Sequence, residues 1–323
     1  MSVGIVVIGR NEGDRLAECL KSVVYLGYPI VYVDSGSTDG SVQMALAMGV
    51  NVVPLDIQRP FTAARARNEG FQRLTALLPE LQYVQFVDGD CELVDGWLES
   101  AIRFLDAHPD GAGVCGRLRE RHPERSVYNM LCDIEWDTPV GETSFCGGNV
   151  LMRVVPFVQL RGYRPHLIAG EEPELCLRLR ATGWRIWRLD VEMALHDAAM
   201  VRFGQWWKRS LRNGHAFAEG TFLLGASAER HWVQETFSAW VWGLGLPLSI
   251  FFCAALVGPF ALAAFAVYPL QVIRLALRGN RSTRANWWRA VFLVIGKFPE
   301  MLGQAKFISN RAFGSRSKLI EYK

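Results

Sequence analysis

The stretch from Thr236 to Ile273 carries no charged side chain, and this feature most constrains what the chain can fold into. A membrane-spanning helix needs about 20 apolar residues, so the stretch is long enough for two. Gly258-Pro259 stands near its middle, where a turn is expected, and Trp242 and Tyr268 lie toward its ends, as aromatic residues do at membrane interfaces. We predict two transmembrane helices within residues 236–277, arranged as a hairpin. The alternative is a pair of very apolar core helices.

The segments on either side of this stretch are basic or amphipathic. Residues 201–235 are predicted to form an amphipathic connector, and residues 278–323 a basic tail in which residues 287–308 form an interfacial or re-entrant helix. A two-span hairpin returns the chain to its starting side. The positive-inside rule therefore places the tail and the N-terminal domain on the cytoplasmic face of an inner membrane. The basic residues behind this prediction are Arg274, Arg278, Arg281, Arg284 and Arg289.

Charge, cysteine content and the first residues of the chain limit the possible partners and cellular compartment. The 35 Lys and Arg residues nearly balance the 32 Asp and Glu residues, and a net charge of +3 is too weak to indicate a nucleic-acid partner. Seven cysteines are scattered without a C-x-x-C pair, which is typical of reduced thiols rather than of a disulfide framework or a zinc site. The opening "MSVGIVVIGRNEGD" lacks the basic region of a signal peptide and instead predicts a first β-strand.

Residues 1–200 alternate between short β-rich runs and stretches with helical spacing of apolar residues. A helix after "VDSGSTDGS" is expected to use Ser37 or Thr38 as its N-cap. The alternation predicts an α/β domain with a Rossmann-like, mostly parallel sheet and helices on both faces. In such sheets ligands bind beyond the carboxyl ends of the strands. Strands are predicted at residues 3–8, 29–34, 51–55 and 83–88, and further helices at 62–78 and 95–107.

Polar groups follow three of these strands. Arg10-Asn11-Glu12 ends the first, Asp34-Ser35-Gly36-Ser37 the second and Asp88-Gly89-Asp90 the fourth. Because the carboxyl ends of parallel strands share one edge of the sheet, we expect these groups to converge on one crevice. Asp34 can accept hydrogen bonds from a nucleobase edge there, although its loop is also an ordinary helix-capping sequence.

Three carboxylates, those of Asp88, Asp90 and Glu92, crowd the end of the fourth strand. Carboxylates this close repel one another, so a metal ion, an arginine or water must offset the cost. Aspartates spaced D-x-D suit Mg²⁺ or Mn²⁺ bound together with ligand phosphates. Such an ion would stabilise a diphosphate leaving group. An isolated D-x-D is also a common turn sequence.

Two helix starts supply further candidates. "AARARNEG" places Arg65, Arg67 and Asn68 where backbone donors favour phosphate or base contact; the alternative is a solvated basic turn. "AGEEPELCLRLRATGW" places Glu171 and Glu172 in a first turn, where acids favour the helix dipole. One of these glutamates could also serve as general base for an acceptor hydroxyl.

Two other stretches are less specific. In "FCGGNVLMR" the pair Gly147-Gly148 permits close approach of a ligand to the backbone. His196, in "MALHDAAM", is either a ligand or an ordinary strand-end histidine.

In this order, the stretches "VVIGRNE", "VDSGSTDGS", "ARARNEG", "QFVDGDCEL", "FCGGNVLMR" and "GEEPELCLRLRATGW" resemble the family 2 glycosyltransferases, which have a GT-A fold. The resemblance covers roughly Val3 to Gly220. It implies a membrane-anchored, bacterial-type enzyme that uses a nucleotide-sugar donor and Mg²⁺ or Mn²⁺.

The resemblance also implies roles for individual residues. Asn11 and Glu12 would lie at the nucleotide, and Asp34 would bind the base. Arg67 and Asn68 would line the donor pocket, and Arg65 and the Gly147-Gly148 pair are further candidates for binding the substrate. Asp88 and Asp90 would form the metal site, with Asp90 the direct ligand and His196 near the metal or diphosphate. Glu172 would be the catalytic base.

One departure from the family pattern concerns that base. The family usually has Asp where this chain has Glu172, and the extra methylene moves the carboxylate by about 1 Å, which can cost ~100-fold in rate if nothing compensates. We expect the backbone to accommodate the longer side chain. The alternatives are Glu171 as the base, or reduced activity.

The predicted reaction is an inverting transfer of a sugar to a lipid-linked or membrane-proximal glycan in cell-envelope or exopolysaccharide synthesis. Residues 119–143 are expected to face the acceptor, with Trp136 as a stacking platform. Two alternatives stay open: a glycosyltransferase whose acceptor is polyprenyl phosphate, and a non-catalytic membrane scaffold that keeps the GT-A fold.

Overall fold

The computed structural model describes residues 2–56 and 58–314. The chain divides into two compact units. The first, which we call the α/β unit, comprises the chain up to His122 together with Cys132–Ala198. The second, the helical unit, comprises Pro123–Leu131 and the chain from Ala199 onwards. The sequence pattern gave no sign that residues 123–131 belong with the later part of the chain.

The α/β unit is built on one nine-stranded sheet of order β3-β2-β1-β4-β8-β6-β9-β5, with β7 paired to β9. Strands β1 to β4, β6 and β9 run one way, and β5, β7 and β8 run the other. The mostly parallel sheet is therefore confirmed. The strands are β1 Val3–Gly9, β2 Ile30–Asp34, β3 Asn51–Pro54, β4 Tyr83–Asp88, β5 Cys91–Leu93, β6 Gly111–Glu120, β7 Gly141–Glu142, β8 Val150–Arg153 and β9 Arg185–His196.

The parallel half of the sheet follows from its sequence. β1 reads "VGIVVIG" and is buried along almost its whole length, as a strand covered on both faces must be. Ile5, Tyr32 and Phe86 on the three neighbouring parallel strands are fully buried in the core. The antiparallel β8, which lies between β4 and β6, was not predicted. Its four residues are too short a run for periodicity to mark.

Seven helices accompany the sheet or join its strands within residues 14–181 of the described chain. One boundary prediction is wrong: α2 begins at Ser41 rather than after Ser37 or Thr38. Asp39, not either hydroxyl, accepts hydrogen bonds from the Ser41 N–H and Oγ, at 3.1 and 2.6 Å. The helices are α1 Asp14–Val24, α2 Ser41–Ala47, α3 Ala63–Leu77, α4 Trp97–Ala107, α5 Val127–Trp136, α6 Val154–Gln159 and α7 Glu171–Ala181.

The helical unit contains the remaining helices. Residues 201–235, predicted as a connector, contain the 22-residue α8, and residues 287–308 fall on two successive helices rather than one. Close packing of α8 against α13 depends on glycine, since a Cβ on Gly214 or Gly303 would lie 2.0 Å from a backbone oxygen of the other helix. The helices are α8 Phe203–Leu224, α9 Val233–Trp240, α10 Leu246–Val257, α11 Val267–Leu277, α12 Thr283–Ile295 and α13 Lys297–Ala312; a π-helical turn, Val241–Gly245, joins α9 to α10, and a 3₁₀ segment, Pro259–Ala266, precedes α11.

Two stretches of the helical unit are long and apolar enough to cross a membrane, Val233–Val257 and Pro259–Leu277. Gly258, with φ of 109°, separates them as predicted. Phe251 and Phe265 pack with ring centroids 5.3 Å apart. Only 11% and 6% of the residues in the most apolar parts of the two stretches are buried, whereas a core helix of a water-soluble protein is mostly buried. Two candidate membrane-spanning helices are thus present, and they are consistent with a membrane anchor.

Candidate active site

Strand register brings the predicted polar loops to one edge of the α/β unit. Gly9 pairs with Asp34 across β1 and β2, and Ile8 pairs with Asp88 across β1 and β4. The polar residues that follow these strands therefore lie level with one another. Among the last strands in the sheet order, His196 on β9 pairs with both Cys91 on β5 and Glu120 on β6.

The first two loops are tied together by Asn11. Its backbone N–H donates to Ser37 Oγ at 2.9 Å, and its side-chain oxygen accepts from the Thr38 N–H at 2.7 Å. Asn11 has φ of 54°, a conformation that asparagine tolerates better than most residues. Glu12 is paired with Arg15 at 2.7 Å. The loops after β1 and β2 thus form one braced rim.

Asp34 is buried beneath that rim. Its Oδ2 accepts from the N–H groups of Gly36 and Ser37, each at 2.9 Å, and its Oδ1 accepts from the Tyr32 hydroxyl at 3.0 Å. The carboxylate therefore shapes its own loop, and any contact to a ligand would add to these three hydrogen bonds.

The three crowded carboxylates each meet a different cationic or imidazole side chain. Arg67 Nη2 donates to Asp88 Oδ1 at 2.7 Å, and His196 Nε2 lies 3.2 Å from Asp90 Oδ2. Glu92 is paired with Arg121. Each of the three carboxylates thus has its own side-chain partner.

Arg67 links the aspartate pair to the acidic start of α7. It is only 2% exposed, and its Nη1 donates to Glu171 Oε1 at 2.7 Å while Nη2 contacts Asp88. Burial alone would lower the pKa of Arg67, but the two carboxylates outweigh burial and raise that pKa, so the guanidinium stays charged. A Cβ on Gly148 would lie 2.5 Å from Nη2 and 2.7 Å from Asp88 Oδ2. Gly148 is therefore needed for the glycine loop to approach this pair.

Neighbouring glutamates Glu171 and Glu172 point into different surroundings. Glu171 is half of the ion pair with Arg67. Glu172 Oε1 accepts from the Cys146 N–H at 2.6 Å and lies 2.9 Å from the Cys176 thiol. Protonating Glu171 would break a buried ion pair, whereas the donors to Glu172 Oε1 are neutral.

Asp90 and His196 form the most promising metal site. Two ligand atoms bound side by side on an octahedral ion with bonds of about 2.1 Å lie about 3 Å apart, which fits the observed 3.2 Å. His196 Nδ1 is buried, has no hydrogen-bond partner among the described residues and is 3.8 Å from Glu120 Oε2. Cys91 lies beside this pair, but burial raises the pKa of its thiol well above the ordinary value. A hard divalent ion would therefore find an oxygen and a nitrogen donor here.

Trp136 lies against the same histidine. Its ring meets that of His196 edge to face, with centroids 4.5 Å apart. The side chain is partly exposed at the end of α5, so it borders the Asp90–His196 pair.

The other predicted donor-pocket residues are held by backbone groups. Arg65 Nη1 donates to the carbonyl oxygens of Asp56 and Arg59, both at 3.1 Å. Asn68 exchanges two hydrogen bonds with the backbone of Tyr163, at 2.7 and 3.0 Å. Both side chains stabilise loops around α3 in the structure.

Sequence reasoning missed four residues of this site. Asn149 accepts from the Asp88 N–H at 3.0 Å, and Glu120 accepts from the N–H groups of His122 and Ala198 at 3.1 and 3.0 Å. Cys146 and Cys176 contact Glu172. The one signal for Glu120 was its place at the end of the mostly buried strand β6, as Asp88 ends β4. The cysteine contacts had no such signal.

Comparison with known proteins shows what the chain is similar to. Residues 4–156 match the model of glycosyl transferase family 2. The matched part includes the Asp34 loop, Arg67, the Asp88–Asp90 stretch and Gly148, but ends before α7.

Solved structures extend the likeness in fold. The chain superimposes on the mannosyltransferase PcManGT of Pyrobaculum calidifontis, solved with GDP-Man and Mn²⁺, with a TM-score of 0.58 and 18% identity, over 96% of this chain and 87% of that one. Glucosyl-3-phosphoglycerate synthase from Mycobacterium tuberculosis aligns with a TM-score of 0.43 and 17% identity, over 67% of this chain and 77% of the synthase. The first match shows a shared GT-A fold.

A curated relative aligns over a shorter part. A TPR repeat-containing protein of Synechococcus elongatus is 25% identical over 185 residues, which are 57% of this chain and 39% of that protein. The chain thus spans about two fifths of the length of this relative.

Proposed function

We propose that this protein is an inverting glycosyltransferase that moves a sugar from a nucleotide-sugar donor to a lipid-linked or membrane-proximal glycan in cell-envelope or exopolysaccharide synthesis. The observation that carries the proposal is the position of Arg67, bonded at 2.7 Å to both Asp88 and Glu171. This buried arginine joins the D-x-D stretch to the acidic helix start, so the two chemically necessary regions form one site.

A divalent ion, Mg²⁺ or Mn²⁺, fits this site. Asp90 and His196 would hold it, with Asp88 beside them. When bound, such an ion neutralises negative charge that grows on a leaving diphosphate. The presence of GDP-Man and Mn²⁺ in the mannosyltransferase of the same fold supports this choice of ligands.

Glu172 is proposed as the base. The acceptor oxygen attacks the anomeric carbon as the bond from that carbon to the diphosphate oxygen breaks, and the hydroxyl proton passes to Glu172. Attack from the side opposite the leaving group inverts the configuration. Glu172 suits this role better than Glu171, because accepting a proton there breaks no ion pair. Glu171 instead fixes Arg67.

The nucleotide is proposed to lie on the rim formed by Asn11, Glu12 and the Asp34 loop. Asp34 would accept a hydrogen bond from the nucleobase in addition to the three that it already accepts. Arg65, Asn68 and the Gly147-Gly148 pair would shape the donor pocket, the first two through the loops that they hold. Trp136, beside His196, would form part of the acceptor side.

Location at the inner membrane, with the α/β unit in the cytoplasm, completes the proposal. Its support is the pair of apolar stretches with little burial and the basic residues that follow them. A membrane-bound acceptor explains why a transferase would carry such stretches.

The proposal is tested by incubating the detergent-solubilised protein with Mg²⁺ or Mn²⁺ and a panel of nucleotide sugars, with and without membrane lipid extract. We expect release of a nucleoside diphosphate that depends on the metal, rises with the lipid extract and yields an inverted product. Transfer to purified polyprenyl phosphate would identify that lipid as the acceptor. No release with any donor would support a scaffold.

Trp136→Ala should change acceptor preference; an unchanged preference would remove Trp136 from the acceptor side.

A further inference from the structure

Three hydrogen-bond donors converge on one oxygen of Glu172. Its Oε1 lies 2.6 Å from the Cys146 N–H nitrogen, 2.9 Å from the Cys176 sulfur and 3.2 Å from the Cys146 sulfur. The two sulfurs are 3.5 Å apart. All three residues are buried, so water does not compete for these donors.

The two thiols reach this oxygen from different parts of the α/β unit. Cys176 is four residues after Glu172 on α7, and one helical turn places its thiol beside the carboxylate. Cys146 directly precedes the Gly147-Gly148 pair, whose second glycine packs against Arg67 and Asp88. The Glu172 carboxylate thus joins the start of α7 to the glycine loop.

These contacts bear on the departure from the family pattern, a glutamate where aspartate is usual. A glutamate has one more methylene and one more rotatable bond than an aspartate, so its carboxylate can occupy positions about 1 Å apart, a displacement that can cost ~100-fold in rate. Three donors on Oε1 remove that freedom. They leave Oε2 as the oxygen that can take a proton.

We infer that Cys146 and Cys176 are positioning residues, whose thiols hold Glu172 Oε1 so that Oε2 faces the acceptor hydroxyl. This inference rests on the role of Glu172 in the proposed function. On this inference, contacts with the two cysteines, and not a shift of the backbone alone, allow a glutamate to serve at position 172.

The state of the thiols agrees with a donor role. Burial raises the pKa of Cys176 to about 11 and raises that of Cys146 well above its ordinary value. Both groups therefore carry their protons at neutral pH and can donate them in hydrogen bonds. Cys146, Cys176 and Glu172 also lie close enough together to surround a metal ion, but thiolates rather than thiols bind such ions.

Single substitutions give the first test. We expect Cys176→Ala and Cys146→Ala each to lower kcat about 10-fold, the effect of losing a hydrogen bond to a charged group, with KM for the nucleotide sugar unchanged. Cys176→Ser, which keeps a donor, should restore most of kcat. Cys115→Ala is the matched control, because Cys115 is also buried but its thiol bonds to the Trp187 carbonyl oxygen. It should leave kcat unchanged.

A double-mutant cycle separates positioning from packing. The shorter carboxylate of Glu172→Asp should not reach both thiols, so Cys176→Ala in that background should change kcat by less than about 2-fold. An equal loss in both backgrounds would mean that Cys176 only packs the core and would overturn the inference. So would full kcat in Cys176→Ala alongside a strong defect in Glu172→Gln.

A readout that needs no turnover separates this inference from the proposed function. The S–H stretching band in the Raman spectrum should shift to higher frequency in Glu172→Gln, because a neutral amide is a weaker acceptor than a carboxylate. An unchanged band would contradict the contact even if the enzyme is active. Zinc bound to the purified protein and lost in Cys146→Ser would also overturn the inference, since the thiols would then be metal ligands.

Discussion

The two units treat charge and apolar surface in opposite ways. The α/β unit buries charged groups beside its site: Asp34, Arg67 and Glu172 are 3%, 2% and 5% exposed. The helical unit exposes large apolar side chains, with Phe252 and Phe260 at 65% and 72%. Buried charge is tolerated where each group has a partner, and exposed apolar surface is stable where the solvent is lipid. The difference agrees with a proposed reaction site in the α/β unit and a proposed membrane anchor in the helical unit.

The largest expected effect follows from removing Asp90, the proposed metal ligand in the α/β unit. Asp90→Ala should lower metal-dependent nucleoside diphosphate release about 10³-fold, because charge on the leaving group is no longer neutralised. Release is measured at saturating Mn²⁺. Asp190→Ala, a 92% exposed carboxylate, is the control and should be unaffected. Undiminished turnover in Asp90→Ala would remove the metal role.

The next prediction tests whether buried charge holds the site together. Arg67→Ala should lower the free energy of unfolding by about 3 kcal/mol, because Asp88 and Glu171 lose their shared partner. Denaturant unfolding in detergent measures this change. Arg185→Ala, whose partners Glu142 and Asp110 are half-exposed, should cost less than about 1 kcal/mol. Equal losses in the two variants would contradict the contrast between buried and exposed pairs.

Charge placed on the apolar surface tests the helical unit. Leu248→Arg should destabilise membrane insertion by about 2.5–3.5 kcal/mol and shift the protein toward the soluble or aggregated fraction. Fractionation with carbonate extraction measures the shift. Leu248 and Leu46 are similarly exposed, at 56% and 57%, but Leu46 belongs to the α/β unit. Leu46→Arg should therefore leave the distribution unchanged, and equal behaviour of the two variants would argue against a membrane anchor.

The smallest expected effect concerns a charge in the helical unit. Burial raises the pKa of Glu219 from 4.5 to about 7, so the stability it contributes is present below pH 4.5 and is lost as the pH rises through 7. Glu219→Gln should raise the melting temperature at pH 8 by about 2–4 °C, or about 1 kcal/mol, and change it little at pH 5. Burial lowers the pKa of His215, 3.6 Å away, to about 4, so this histidine is uncharged at both pH values. A shift of the same size at both pH values would contradict the assigned pKa.

The sequence predicted the parts of the fold that follow one simple rule. β1, β2 and β4 were visible as apolar runs, with Asn11, Asp34 and Asp88 at or just after their ends. These residues lie near one another because the carboxyl ends of parallel strands share one edge of the sheet. The two apolar stretches were visible from the absence of charge alone. The short antiparallel β8 could not be predicted, since its place in the sheet depends on tertiary pairing.

Side-chain partners were harder to predict than positions. The sequence placed Arg67 near the site but did not show that it joins Asp88 to Glu171, because that contact bridges residues 104 apart. It left open which of Glu171 and Glu172 serves as base. Glu171 and Glu172 differ because Cys146 and Cys176 pack around Glu172 alone. Such packing leaves no periodic pattern in the sequence.

Transfer rates of Glu172→Gln and Glu171→Gln, with donor affinity measured on the same samples, test the central claim most directly. A base contributes about 10²–10⁴-fold, so Glu172→Gln should lose that factor in transfer while binding the nucleotide sugar as the native protein does. Glu171→Gln should retain more transfer and lose stability through Arg67. Native transfer by Glu172→Gln, or loss of transfer in Glu171→Gln alone, would contradict the account.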